Sequence, residues 1–481
     1  MNGSIVVKRR DFITKTAVYG GLAAGSEFLA SAVPEEAAAL GTGGGFDISE
    51  ALYYIESMKK KNLAPEIRPE IRTNPRAVFL FETNVRERRD KRGFFTGAQP
   101  ELEAIGKDIA NAVFARGKRK GGSTHVKPNF TTTPDSVLSP VVGIITSTDF
   151  VAGFINGLRD MGNVNVMVGE RGANVRVHRK TGIYSVFDRH DIRLIEATYR
   201  SFPDYSKKEL NWHRVSHPVV CRHIPTYRPI GDKDTTFINM AKLKAHNLGL
   251  TSLTIKNLQG AVPVGYGQYC NSWSELPFLA KRGVRYPWDF VQFYQEYVES
   301  AFLKHRAQGY KYWDYEGYYG EYMARGGWKA FRKIRKDEKA VREFMNGIER
   351  VMWDEQWCQR ALDSATAIRP TINIIEGVIG RDGSGFEIGT DELCNIVIIG
   401  LSMVEVDSIG SWIMGHDPRE LYYTRIAKER GLGENDPAKI KLYWIRKGEI
   451  VPVVDLSEIK RYKLGVNLHN RLIDFGNRLM W

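Results

Sequence analysis

The chain has 481 residues, 43% of them hydrophobic. That is enough apolar material for a full core, which excludes global disorder, and length enough for two or three average domains or one large domain with an insertion. A formal net charge of +13 fits nucleic acid, an anionic membrane surface or an anionic small ligand; with no helix-turn-helix, zinc-finger or RNA-binding pattern, and with the basic residues spread along the chain, nucleic acid is not expected. Cys221, Cys270, Cys358 and Cys394 form no C-x-x-C pair, so a zinc site or ferredoxin cluster of that kind is not encoded. Disulfide pairing stays open.

The N-terminus reads KRRDFITK followed by a moderately apolar stretch that Glu27 interrupts. Arg9-Arg10, Phe12-Ile13 and Lys15 match a twin-arginine export signal, and Ala30-Ser31-Ala32 matches an A-x-A cleavage site. The segment is too short and too polar for a stable transmembrane helix. Residues 1–32 are therefore expected to be a signal peptide. The expected location is periplasmic or otherwise extracytoplasmic, with the export translocase as a partner. Residues 33–75 read as a linker and a surface helix at 48–62. A compact apolar run at 76–83 predicts the first buried strand. Leu102, Ile105, Ile109 and Val113 recur at helical spacing, predicting a helix over 101–116.

Residues 123–130, STHVKPNF, predict a strand that Pro128 stops. Lys127 and Asn129 then sit at the carboxyl end of a strand, where open α/β sheets bind ligands. Thr131, Thr132 and Thr133 either offer hydroxyls to an anion or cap the next helix. A helix over 147–161 and a strand over 164–168 follow. This order of strand, helix and strand implies a parallel sheet with right-handed crossovers. The Gly169-Glu170-Arg171-Gly172 turn places Glu170 near the lysines; it is not a G-x-G-x-x-G fingerprint, and no phosphate-binding loop is present. His213, His217, Cys221 and His223 have metal-like spacing, but Pro218 breaks any helix that would align them. No metal site is assigned.

Residues 237–263, FINMAKLKAHNLGLTSLTIKNLQGAVP, are the centre of the chain. A short apolar run opens a strand. If the strand continues, Lys242, Lys244 and His246 share one face, because strand side chains alternate. Lys256, Asn257 and Gly260 follow. Amines interleaved with apolar residues suit a partly buried anion pocket, and a lysine among other cations becomes a usable base. The alternative is an amphipathic element whose lysines reach out to solvent. Residues 264–365 are crowded with tyrosine and tryptophan and read as a helical insertion, either a lid over an apolar or ring-shaped substrate or an oligomer interface.

Beyond the insertion, residues 371–375 predict a strand leading into a glycine-rich turn with Asp382, Gly383 and Gly385. Residues 395–400 predict another strand. Asp407 is expected near the start of a helix, where the dipole favours an acid. A further helix between Asp417 and Gly433 and an edge strand at 441–445 complete the pattern.

Taken together, these motifs resemble the family called domain of unknown function 362. The matching residues are Lys127-Pro128-Asn129, then Lys242, Lys244, His246, Lys256, Asn257, Leu258 and Gly260, then the D-G-x-G turn at Asp382, and Asp407. The chain departs from the pattern at Ala245, usually threonine, and at Glu376, usually aspartate. Many members carry an appended ferredoxin segment, which this chain lacks. The resemblance implies an α/β fold over residues 76–446 outside the insertion. Its largely parallel sheet would carry helices on both faces, with lobes at 76–263 and 366–481 and a cleft between them. It implies no reaction and no cofactor.

The residues themselves favour an enzyme acting on an anionic small molecule. Lys244 or His246 would act as base, with Glu170 or Asp407 as acid partner. Lys127, Asn129, Lys242, Lys256, Asn257, Asp382, Gly383 and Gly385 would bind ligand. A cofactor- or metal-dependent oxidoreductase, a non-catalytic ligand-binding protein and an accessory factor for another exported enzyme are the alternatives.

Overall fold

The computed structural model describes residues 48–89, 99–130, 143–170, 185–195, 206, 208–217, 223–246, 249–263, 348–383 and 390–465. The expected signal peptide, the linker to residue 47, the threonines at 131–133, Cys221, Cys270, Gly385 and the insertion up to residue 347 lie outside them.

One sheet organises the described residues. Its strands are β1 (Val78–Glu82), β2 (Ser123–Pro128), β3 (Val166–Gly169), β4 (Arg193–Ile195), β5 (Thr235–His246), β6 (Leu250–Thr251), β7 (Ile372–Arg381), β8 (Asp391–Gly400), β9 (Leu442–Arg446) and β10 (Glu449–Pro452). The order across the sheet is β10-β9-β1-β8-β7-β5-β2-β3-β4, with β6 folded back on β5. Strands β4, β3, β2, β5 and β7 run parallel, as do β1 and β9, while β8 lies antiparallel between β7 and β1. The sheet is mixed and mostly parallel, and the fold is α/β. Segments from before and after the insertion contribute adjacent strands: β5 pairs directly with β7, setting Lys242 opposite Glu376.

Alternation within the strands splits the core in two. Ile238 and Met240 of β5, with Val397 and Ile399 of β8, join a cluster built by α2 (Gln99–Val113) and α3 (Thr148–Asp160). Ala241, Leu243 and Ala245, with Ile396 and Ile398, face the other way onto Val406, Ile409 and Ile413 of α6 (Met403–Ile413). Helices therefore cover both faces, and β5 is buried along nearly its whole length. A strand buried on both sides reads as a continuous apolar run rather than an alternation. Helices α2 and α3 approach closely because Gly106 and Gly153 carry no side chain: a Cβ at either would sit 2.0 Å or less from a carbonyl oxygen of the other helix. The first helix, α1 (Ile48–Met58), lies at the surface and buries Ile48, Ala51 and Ile55.

Three expectations need adjustment. The residues from Glu376 to Arg381, read as the start of a glycine-rich turn, continue β7, and the turn begins only at Asp382. The strand at 441–445 is not the edge: β10 pairs outside it. Asp407 lies within α6 rather than at its start. No helix among the described residues is long and apolar enough to cross a membrane.

Candidate functional site

The site lies at the carboxyl ends of β2, β3, β5 and β7. Strand β5 holds Lys242, Lys244 and His246 on its α2–α3 face, as the alternation predicts. Lys127 stands in register with Asn239 and so projects from the opposite face. The two faces meet because β2 stops at Pro128 while β5 runs on to His246. Past the end of β2, Asn129 bridges them.

The bridge is a relay of amides. Lys244 Nζ donates to Asn129 Oδ1 at 2.8 Å, and Asn129 Nδ2 donates to Asn257 Oδ1 at 3.1 Å. The same Asn257 oxygen accepts from Lys127 Nζ at 3.0 Å. Asn257 Nδ2 then donates to Asn239 Oδ1 at 2.8 Å, and Asn239 Nδ2 to Asn373 Oδ1 at 3.0 Å. An ammonium can only donate, so each lysine turns the neighbouring amide oxygen toward itself and sets the direction of the relay. Asn239 and Asn373 were not picked out from the sequence. The signal for them was there: an asparagine inside an otherwise apolar buried strand is costly unless bonded.

Two buried ion pairs flank the relay. Lys127 Nζ lies 2.5 Å from Glu170 Oε2, and Lys242 Nζ lies 2.5 Å from Glu376 Oε2. Glu376 also accepts from the backbone N–H and hydroxyl of Ser147, at 3.2 and 3.1 Å. Breaking a buried pair of this kind costs about 3–5 kcal/mol. A third pair, Arg381 with Asp391 at 2.9 Å, closes the far side.

Lys244 differs from these. Besides Asn129, its amine donates to the carbonyl of Ile144 at 2.9 Å, and among the described residues no carboxylate pairs with it. Burial, followed by the Lys256 ammonium, holds its pKa well below the usual lysine range; Lys242 and Arg381 act in the same sense and Glu170 opposes them. The two acceptors match the two hydrogens of a neutral amine and leave its lone pair unengaged.

Lys256 and Asn257 sit on the short helix α4 (Thr254–Asn257). Asp407 anchors that helix. Its Oδ1 accepts from the backbone N–H and the hydroxyl of Thr254 at 2.8 and 2.5 Å, and its Oδ2 from Ile255 N–H at 3.0 Å. Burial pushes Asp407 up to about 7, against the pull of these bonds. The carboxylate thus acts on the lysines through α4 rather than by touching them. Behind α4, Cys358, Ala361 and Leu362 of α5 (Ile348–Ala367) pack with Ile255 and with Leu421 and Tyr423 near α7 (Tyr422–Glu429). The described end of the aromatic insertion is therefore a support for the site.

Of the other expected residues, Lys256 bonds Gln259 at 2.5 Å, and the Nδ1 of buried His246 accepts from Gly249 N–H at 3.4 Å. Asp382 is spent on its own turn, accepting from Thr390 N–H at 2.5 Å and from the Thr390 hydroxyl at 2.9 Å. Gly383 has φ +71, a conformation that favours glycine. His213 bonds Thr226 at 2.8 Å. No group of three or more metal-type ligands occurs among the described residues.

The family model described as domain of unknown function (DUF362) matches residues 125–412, more than half of the chain. The chain belongs to the DUF362 family. The matched span starts within β2 and ends within α6, so it contains every strand end that contributes to the DUF362 site. Searches of curated proteins and of solved structures return no match.

Proposed function

We propose that this DUF362 protein is an enzyme that removes a proton from a small anionic substrate, with Lys244 as the base. The observation that carries the reading is Lys244 itself: a buried amine with no carboxylate partner among the described residues, satisfied by two neutral acceptors and bordered by other cations. Burial and neighbouring cations both favour the neutral form of such an amine, which is the form that can act as a base. Lys256 holds the substrate's negative charge. Glu170, by fixing Lys127, and Asp407, by fixing α4, position the amide relay and Lys256; His246 offers a second proton carrier at the end of β5. Carbon next to a carboxylate is the position such a set could deprotonate unaided. The reading also takes the protein out of the cytoplasm, on the strength of Arg9-Arg10 and the Ala30-Ser31-Ala32 site.

The test is exchange in D2O. Small carboxylates with an acidic C–H are incubated with the protein, and loss of the proton signal is followed by NMR. Wild type exchanges at least one of them, and Lys244→Met slows that exchange by about 100-fold or more. Replacing Lys244 and His246 together separates the classes: an enzyme still binds but no longer exchanges, whereas a binder loses affinity alone. Exchange that survives Lys244→Met undiminished would sink the assignment.

A further inference from the structure

Among the described residues the lysines of this site are not all matched by acids: Asp407 is engaged by Thr254 and Ile255 rather than by an amine, and His246 accepts from Gly249 N–H. Lys127 is matched by Glu170, Lys242 by Glu376 and Arg381 by Asp391, each pair within 2.9 Å. Among the described residues, two amines have neutral partners only: Lys244 on Asn129 and Ile144, and Lys256 on Gln259. One rises from the end of β5 and the other from α4, and two hydrogen bonds join them: Lys244 to Asn129 at 2.8 Å, and Asn129 to Asn257, the chain neighbour of Lys256, at 3.1 Å. Like charges in a medium of low dielectric repel strongly, so the two amines together favour a state with one proton fewer. A ligand of charge −1 compensates one ammonium. A ligand of charge −2 compensates both and draws the missing proton back.

We propose that this site selects a small dianion, seated between Lys244 and Lys256, and takes up a proton as it binds. The inference deepens the proton-abstraction reading and rests on the same site. When Lys244 deprotonates carbon beside a carboxylate, the C–H bond breaks and its electron pair moves into the bond toward the carboxyl carbon. The proton ends on Lys244 Nζ. The product is a planar ene-diolate of charge −2 beside an ammonium, the charge state these two amines complement, and a site complementary to the intermediate favours its formation. A ligand that is already a dianion, such as a phosphate monoester, would be held with Lys244 protonated, and so bound rather than deprotonated by it.

Titration calorimetry on the full chain at about pH 8, in two buffers of different ionisation heat, tests this directly. The probes are oxalate, a planar dianion, inorganic phosphate, and the monoanion glycolate. Oxalate or phosphate is expected to bind at least about tenfold tighter than glycolate, with net proton uptake. Preference for oxalate marks the intermediate as the selected species, and preference for phosphate marks a phosphate ester ligand. Lys244→Arg keeps the dianion preference but loses the uptake, because a guanidinium stays charged. Lys256→Met weakens all three ligands. Equal affinity for the three, no binding of either dianion at millimolar concentration, or unchanged uptake in Lys244→Arg would overturn the proposal. Dianion selection without deuterium exchange on any carboxylate removes the proton-abstraction reading and leaves the dianion site standing; exchange without dianion selection does the reverse.

Discussion

Gly260, the last residue of the K-N-L-x-G motif, carries a sharp prediction. It lies in the 3-10 turn Leu258–Ala261, where its backbone is of a kind any residue adopts. What demands glycine is space: a Cβ there would stand 1.8 Å from Oε1 of Glu170 and 2.5 Å from its Cδ. Real Cβ contacts do not fall under 3.0 Å, so in Gly260→Ala the carboxylate must retreat by at least 3.0 − 1.8 = 1.2 Å. Elsewhere a glutamate would swing aside cheaply. Here it touches Lys127 Nζ at 2.5 Å, and both side chains are almost fully buried. Separating them breaks a buried ion pair, and the loss is put at about 3 kcal/mol, the low end for such a break. Urea unfolding followed by circular dichroism measures it. A double-mutant cycle isolates the cause: in a Glu170→Ala background the clash is gone, and Gly260→Ala should then cost less than about 1 kcal/mol. If Gly260→Ala costs the same in both backgrounds, or leaves stability within about 0.5 kcal/mol of wild type, the steric argument fails.

Asp407 predicts a pH dependence. Its folded value of about 7 lies above the unfolded value of 3.8, so its stabilising contribution is full below that unfolded value and is lost as pH rises toward 7. The stability of wild type minus that of Asp407→Asn, measured in denaturant, should fall by about 1–4 kcal/mol between about pH 4 and about pH 7.5; a difference that rises with pH refutes this. In the helix pair α2–α3, Gly106→Ala would place a Cβ 2.0 Å from the carbonyl oxygen of Phe150. Backbone cannot swing away, so a loss of about 2 kcal/mol or more is expected in thermal unfolding, and a neutral outcome would show that the helices are free to part. Burial pushes the Cys394 thiol up to about 12. Native protein at about pH 8 should therefore leave Cys394 unlabelled by iodoacetamide while urea exposes it, as read by peptide mass spectrometry; rapid native labelling would contradict its burial.

The strands, helices and motif residues of this chain were legible one by one. Periodicity located α2, α3, β2 and β5, because a side chain's face depends only on its neighbours in sequence. The alternation of Lys242, Lys244 and His246 likewise placed them together before any fold was known. Less legible were the roles within the site. Lys127 and Lys244 both read as cations of an anion pocket at strand ends, and nothing local distinguishes the amine paired with Glu170 from the one bonded to Asn129 and Ile144.

That difference comes from strand order and strand length. Setting β7 beside β5 brings Glu376, more than a hundred residues away, onto Lys242. Because β2 stops short of β5, Asn129 rather than an acid reaches Lys244. Asp407 looked like a chemical acid from its position alone, and packing of α6 against α4 made it the anchor of the helix that carries Lys256. The order of residues along the chain thus determined which groups could bear charge and which face of a strand each would take. Partners, burial and hence proton affinity were decided only in the folded state, because electrostatic energy depends on distance and dielectric, and both are properties of the assembled core rather than of the sequence.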